Sequence, residues 1–444
     1  MKNITVGYLE NKSEVFISNI IYNKNFLEML SNYVRVVKMT VDPRSFDLKK
    51  LKILDVDYLL VDIKNFGPKQ FILREKQKIN TPFILILHSV ISWYWELSYI
   101  VPLIRKTDII IAPSEYAEEL FLKITNKIKV HVIPNSLDIA KIQKNIFCEF
   151  QKKKRYISYM GRLTKEKNIG VLIDCMPEII AKVGNVHLNI IGPLSGDYIT
   201  DYPKSLYVGQ LQKKIKKLKL TNNVHFIGLK SGLEKYEILS QSDLFITASV
   251  EETFGIANME ALACGVPIIA ADCGGNKELI IDGKNGYLVK CDNDKGKRAI
   301  NIKHLISLIV KILRNKKLNK GLKENARKVA WRYDYHKVLP RLVGLLKKRS
   351  LNIKVKNRWN SIRNKRVIDF NHLFNRDFLF FLYYRDRFGP ETYASLCRKQ
   401  AKWVDFKNKD YSASGKTIKK KRTRNKEISD KIRHVFLNFL SPKA

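Results

Sequence analysis

At 444 residues the chain is long enough for two or three domains, and an apolar content of 45% is ordinary for a globular protein. The net charge of +40 is not ordinary; it points to anionic partners (nucleotide, phospholipid, nucleic acid or acidic glycan), with a Lys-, Ile- and Asn-rich genome as the other source. The six cysteines, Cys148, Cys175, Cys264, Cys273, Cys291 and Cys397, are scattered with no paired metal-ligand spacing, as expected for reduced thiols in a cytosolic protein.

The first residues, Met1-Lys2-Asn3-Ile4-Thr5-Val6, read as a strand and not as a signal peptide. Across 1–145, short apolar runs at 4–8, 58–62, 83–88, 109–112 and 130–133 alternate with helical stretches, which predicts βαβ units and a parallel sheet. The most apolar stretch, 81–104, is interrupted by Pro82, His88, Glu96 and Pro102, so it reads as a buried strand followed by a helix and not as a membrane span. His88 ends that strand; a lone histidine at such a place is more often structural than functional. Residues 143–155 are polar and basic and read as a linker. The pattern then repeats over 146–347, with strands at 156–160, 187–191, 224–227, 244–247 and 267–271. Glycine follows three of them, at Gly161, Gly192 and Gly228. From about 348 to 444 the character changes to a basic, helical extension: residues 351–444 hold 24 Lys and Arg against 8 Asp and Glu. It contains a basic run at 416–426 and an aromatic run, FLFFLYY, at 378–384. That mixture suits an anionic membrane surface, or nucleic acid, or simply an aromatic core strip with a solvated charged face.

Two motifs carry the chemistry. In EETFGIANMEALACGVPIIAADCGGNKEL, residues 251–279, Glu252 and Glu260 are separated by seven residues. The order is loop, helix, strand and glycine turn. A helix start offers unpaired N–H groups and a positive dipole end, which suit a phosphate. The acids would repel a phosphate and suit hydroxyls instead. A ligand with both is a nucleotide sugar. The second motif, Gly161-Arg162-Leu163-Thr164-Lys165-Glu166-Lys167-Asn168, follows a strand and precedes a helix. It puts two cations, Arg162 and Lys167, on a strand-to-helix loop, the usual ligand edge of an open α/β sheet. Arginine grips phosphate through paired hydrogen bonds, lysine as a point charge. Taken alone, the two acids also fit capping and dipole roles, and the two cations fit solvated surface charge.

With Ile133-Pro134-Asn135-Ser136-Leu137-Asp138, Val224-His225-Phe226-Ile227-Gly228, Ser242-Asp243-Leu244-Phe245 and Asp282-Gly283-Lys284-Asn285-Gly286, these motifs resemble the retaining GT-B glycosyltransferases of the family 4, group 1 type, over roughly 129–347. The resemblance implies two facing Rossmann-like domains, an acceptor-side domain at 1–145 and a nucleotide-sugar domain at 146–347, with residues 331–346 in a helix that crosses back to the first. It implies that Arg162 and Lys167 bind the donor diphosphate, that Glu252 contacts the transferred sugar, and that Glu260 holds the ribose hydroxyls. The backbone of Phe254, Gly255 and Ile256 would join the diphosphate site, and His88 would orient sugar or acceptor hydroxyls. The donor would be UDP- or GDP-linked and the acceptor a glycan, lipid or protein hydroxyl. Retention would follow same-face attack, without metal or other cofactor, because Arg162 and Lys167 would take a metal's place. Ala248 and Ser136 depart from the usual Pro and Gly, and Gly7-Tyr8-Leu9-Glu10-Asn11-Lys12 replaces a glycine-rich loop. The expected place is the cytoplasm, at the membrane periphery if the extension docks there. A glycosyl phosphorylase on the same fold, and a non-catalytic protein binding membrane or nucleic acid through its basic tail, are the rival readings.

Overall fold

The computed structural model describes residues 4–11, 17–41, 56–61, 69–88, 97, 100–146, 154–194, 204–294 and 297–355. The runs at 378–384 and 416–426 lie outside them. Chain contacts divide the molecule into two units, Met1–Asp292 with Arg298–Ile362, and Asn293–Lys297 with Arg363–Ala444.

Two six-stranded parallel sheets form the unit of Met1–Asp292 with Arg298–Ile362. The first holds β1 (Thr5–Asn11), β2 (Arg35–Val41), β3 (Tyr58–Val61), β4 (Phe83–Ile86), β5 (Ile109–Ala112) and β6 (Val130–Val132), in the order β2-β1-β3-β4-β5-β6. The second holds β7 (Arg155–Met160), β8 (Val186–Ile191), β9 (Val224–Gly228), β10 (Leu244–Thr247), β11 (Ile268–Ala271) and β12 (Gly286–Val289), in the order β12-β11-β10-β7-β8-β9. Both are doubly wound, so the chain reverses direction across β1 and β3 in one and across β7 and β10 in the other. The expected fold class, two Rossmann-like sheets, is thus present. Each sheet also has an edge strand that the apolar runs did not announce. β2 is half-exposed along its length, and β12 begins on Gly286. Leu9 to Asn11, beyond the strand expected at 4–8, also belong to β1.

Strand periodicity builds the cores. In β10, Leu244 and Ile246 point to the face covered by the Ile169–Val183 and Ile302–Arg314 helices, while Phe245 points to the face covered by the Ile256–Ala263 and Lys316–Ala330 helices. Both faces are buried, which is why these strands read as continuous apolar runs.

The C-terminal Tyr335–Val355 helix closes one face of the first sheet. Tyr335, Val338, Leu339, Leu342, Val343 and Leu346 pack with Val6, Tyr58, Ile84 and Ile109. These positions recur at three- and four-residue spacing, one apolar stripe of a helix. Asp334, buried at the helix start, accepts the backbone N–H of Ile139 at 3.1 Å and of His336 at 3.0 Å. Leu137 pairs its backbone with Tyr333 and Tyr335, so the Asn135-Ser136-Leu137-Asp138 motif anchors this helix. The helix runs through residues 347 and 348 without a break.

Asp108, just before β5, is fully buried with Arg74. Its Oδ1 accepts Arg74 Nη1 at 2.6 Å and the Phe83 N–H at 2.8 Å, and its Oδ2 accepts the Arg105 N–H at 2.8 Å. The guanidinium also lies 4.2 Å from the Phe83 ring centroid. This pair sits at the amino ends of β4 and β5.

Candidate functional site

The loops that leave β7 and β10 emerge side by side at the carboxyl end of the second sheet, where its strand order reverses. After β7, Leu163 is buried in the core and pins the loop. The Tyr159 hydroxyl donates to the Arg162 carbonyl at 2.8 Å. The Arg162 side chain is left outside, 39% exposed, with Nη2 3.5 Å from Glu166. A 3-10 turn, Lys165–Lys167, and Asn168 in the left-handed region then start the Ile169–Val183 helix. Asn168 Nδ2 donates to the Ala248 carbonyl at 2.9 Å and ties this loop to the end of β10. Lys167 donates to Glu252 Oε2 at 2.8 Å, joining the two motifs across 85 residues.

After β10 the chain turns at Gly255, whose φ of +89° is a left-handed conformation that glycine adopts without strain. Gly255 is the N-cap of the Ile256–Ala263 helix, and no side chain caps it. Among the described residues, the N–H groups of Ile256, Ala257 and Asn258 make no hydrogen bond. They are three of the orphan donors every helix start presents, and they suit an anion. The Phe254 ring is buried, 5.7 Å edge-on to Tyr333, so only its backbone is available to a ligand. The glycine turn supports the loop from behind. A Cβ on Gly275 would sit 2.4 Å from the Thr253 carbonyl, and the Gly275 N–H donates to the Glu252 carbonyl at 2.8 Å.

The first sheet reaches the same loop. Ser114 Oγ donates to the Thr253 carbonyl at 2.6 Å and caps its own Glu115–Leu122 helix by accepting from Ala117 at 3.0 Å. Glu278 accepts the N–H groups of Glu115 and Tyr116 at 3.1 and 3.2 Å. Burial raises the Glu278 pKa, and those two N–H groups pull it back down. The loop carrying Glu252 is therefore clasped from both halves.

Glu260 lies one turn into the helix and is 7% exposed. Its Oε1 accepts Lys235 Nζ at 2.5 Å and the Tyr236 hydroxyl at 3.3 Å. Burial, with Glu260 adjacent, pushes the Tyr236 phenol far up. The motif reading passed over Lys235. No local pattern marked it: Lys235 is buried with Tyr236 and Leu239 on the Gly232–Ser240 helix, and its partner lies 25 residues on.

His88 follows β4 at the carboxyl end of the first sheet, half-buried, with its ring edge-on to Tyr22 at 5.3 Å. Burial raises the Tyr22 phenol, against a hydrogen bond from the Ser136 backbone. Lys167 and Glu252 are in contact and Arg162 shares their loop. The 254–256 helix start continues the Glu252 loop, Glu260 is held by Lys235, and His88 belongs to the other sheet. Among the described residues, no three His, Cys, Asp or Glu side chains gather for a metal. No described helix is long and apolar enough to cross a membrane. Cys175, Cys264, Cys273 and Cys291 are not in disulfides, and burial pushes Cys175 up to about 12, with Asp174 and Glu178 adding.

Residues 141–329 match the family of glycosyl transferases group 1. Spore coat protein SA of Bacillus subtilis is 30% identical over 158 residues, 35% of this chain and 40% of that protein. The chain thus spans about two fifths of the length of such curated relatives. Among solved structures, Anabaena HepE in complex with UDP and glucose covers 78% of this chain and all of its own, with a TM-score of 0.60 and 20% identity. The sucrose-phosphate synthase of Thermosynechococcus elongatus covers 79% of this chain and all of its own, with a TM-score of 0.63 and 17% identity. The likeness to group 1 glycosyl transferases is thus carried by residues 141–329, and the two-sheet fold that holds them is GT-B.

Proposed function

We propose that this protein transfers a sugar from a nucleoside-diphosphate sugar to an acceptor hydroxyl with retention of anomeric configuration, without a metal. The observation that carries the reading is the meeting of Lys167, Glu252 and an uncapped helix start at the β7–β10 reversal, with Arg162 on the same loop. Arg162, Lys167 and the N–H groups of Ile256 to Asn258 would bind the diphosphate and stabilise the charge it gains on leaving. Lys167, held by Glu252, would share its charge with the donor phosphate. Glu252 would accept hydrogen bonds from the sugar hydroxyls and offset positive charge at the anomeric carbon, and Glu260 would hold the ribose. The anomeric carbon–oxygen bond to phosphate breaks with its electron pair on the phosphate. The acceptor oxygen bonds to the anomeric carbon on the same face and passes its proton to the departing diphosphate. His88, at the edge of the first sheet, would orient sugar or acceptor hydroxyls. The HepE structure, solved with UDP and glucose, supports a nucleotide sugar as donor. A cytoplasmic site of action, where such donors are made, belongs to the same reading.

Thermal stabilisation by UDP, GDP and their sugar conjugates tests it, because a ligand of the folded state must raise the melting temperature. Stabilisation by one of them that disappears in Arg162→Ala supports the donor site and names the base. A well-folded protein that responds to none overturns it.

A further inference from the structure

Lys235 and Glu260 form a buried ion pair, each side chain 9% exposed, between the helix that follows β9 and the helix that follows β10. The same two helices bury Leu239, Met259, Ala261, Leu262 and Ala263. Such a pair is a poor way to stabilise a fold, since apolar side chains of similar volume are generally as good or better. Its arrangement is also lopsided. Glu260 Oε1 takes both the Lys235 ammonium and the Tyr236 hydroxyl, while Oε2 makes no hydrogen bond among the described residues. An ammonium has three protons, and Oε1 uses one.

A buried carboxylate oxygen beside spare ammonium protons is complementary to a hydroxyl, which donates one hydrogen bond and accepts another. A lone carboxylate reads only the donor half. Two hydroxyls on neighbouring carbons supply both halves twice. We propose that Lys235 and Glu260 together read the ribose diol of the donor nucleoside, with Lys235 both fixing the carboxylate and donating to a ribose hydroxyl oxygen. The proposal rests on the donor site described above and extends it to a residue outside the sequence motifs.

Calorimetric titration with UDP, GDP and their 2′-deoxy analogues tests it, on wild type, Lys235→Met and Lys235→Arg. Wild type is expected to favour the ribonucleotide by roughly 10- to 100-fold, the range for a hydrogen bond to a charged group. Lys235→Met should remove most of that preference, leaving only what a lone carboxylate reads, whereas Lys235→Arg, which keeps the charge and its donors, should retain most of it. Where Lys235→Met does not fold, Lys235→Gln, which keeps one donor against Oε1, should also lose most of the preference. An undiminished preference in a folded Met or Gln variant overturns the role of Lys235. Wild type that binds a nucleoside diphosphate without preferring ribose overturns the diol-reading pair alone; wild type that binds none overturns the donor site itself.

Discussion

The two sheets share a fold but bury their most enclosed ion pairs at opposite ends. In the second sheet the two most buried pairs, Lys235–Glu260 and Lys167–Glu252, lie beyond the carboxyl ends of the strands, and only the more open Lys323–Asp243 pair, among the described residues, lies at the amino end of β10. In the first, the fully buried pair Arg74–Asp108 lies at the amino ends of β4 and β5, tied to the Phe83 and Arg105 backbone. The starts of the crossover helices gather where strands run out, so charge placed there sits at the ligand edge of the sheet, and charge at the other end packs within the protein. Residue type alone does not separate these cases; position along the strand does.

Substitution at each end should sharpen the contrast. The largest effect on folding is expected from Asp108→Asn, which leaves the buried guanidinium without its counter-charge and should cost about 3–5 kcal/mol in urea unfolding. A loss under about 1 kcal/mol would break the comparison, because it would put this pair with ordinary surface ion pairs. Lys167→Ala should do the reverse. Donor turnover should fall about 10²- to 10³-fold, as on removing one preorganised electrostatic stabiliser. Stability should change by no more than about 1 kcal/mol, because the Lys167–Glu252 pair is partly open to solvent. A Lys167→Ala protein with normal turnover, or one that is mostly unfolded, would show that the carboxyl-end pair is structural too.

The smallest effect concerns the amino end of the second sheet. His187 and His225 stack there with ring centroids 5.3 Å apart, and His187 also meets Asn185 Oδ1 at 2.8 Å. Burial lowers both pKa values, Lys154 adds to both, and His225 lowers His187 further. The folded protein therefore favours the neutral rings. Their contribution is present above the unfolded histidine pKa of about 6.5 and is lost as pH falls below it toward the folded values. Melting temperature should drop between pH 7.5 and 5, and drop less in His187→Gln. Equal slopes in the two proteins would show that the carboxylates govern acid sensitivity alone.

Most of the second sheet was legible because its strands are buried on both faces and read as apolar runs ended by glycine. The Arg162 and Lys167 loop and the Glu252 to Glu260 segment were legible because local order, strand then loop then helix, already places them at a ligand edge. β2 escaped notice for the converse reason, since an edge strand with exposed side chains carries no continuous apolar signal, while β12, mostly buried, is four residues long and begins on glycine. The clasp of Ser114 on Thr253 and Glu278 on the Glu115–Leu122 helix joins residues 139 to 163 positions apart, and no local pattern encodes it. Lys235 was hidden by its type, since lysine is almost never fully buried without a partner, and its partner lies 25 residues on.

The sequence by itself thus determined the doubly wound sheets, the glycine-shaped loops and the carboxylates that follow β10, because each depends on periodicity or on neighbours within one turn. Tertiary structure alone decided which charges meet: Lys167 with Glu252, Lys235 with Glu260, and Arg74 with Asp108. A buried charge is stable only against a specific opposite charge, and folding chooses that partner from distant parts of the chain.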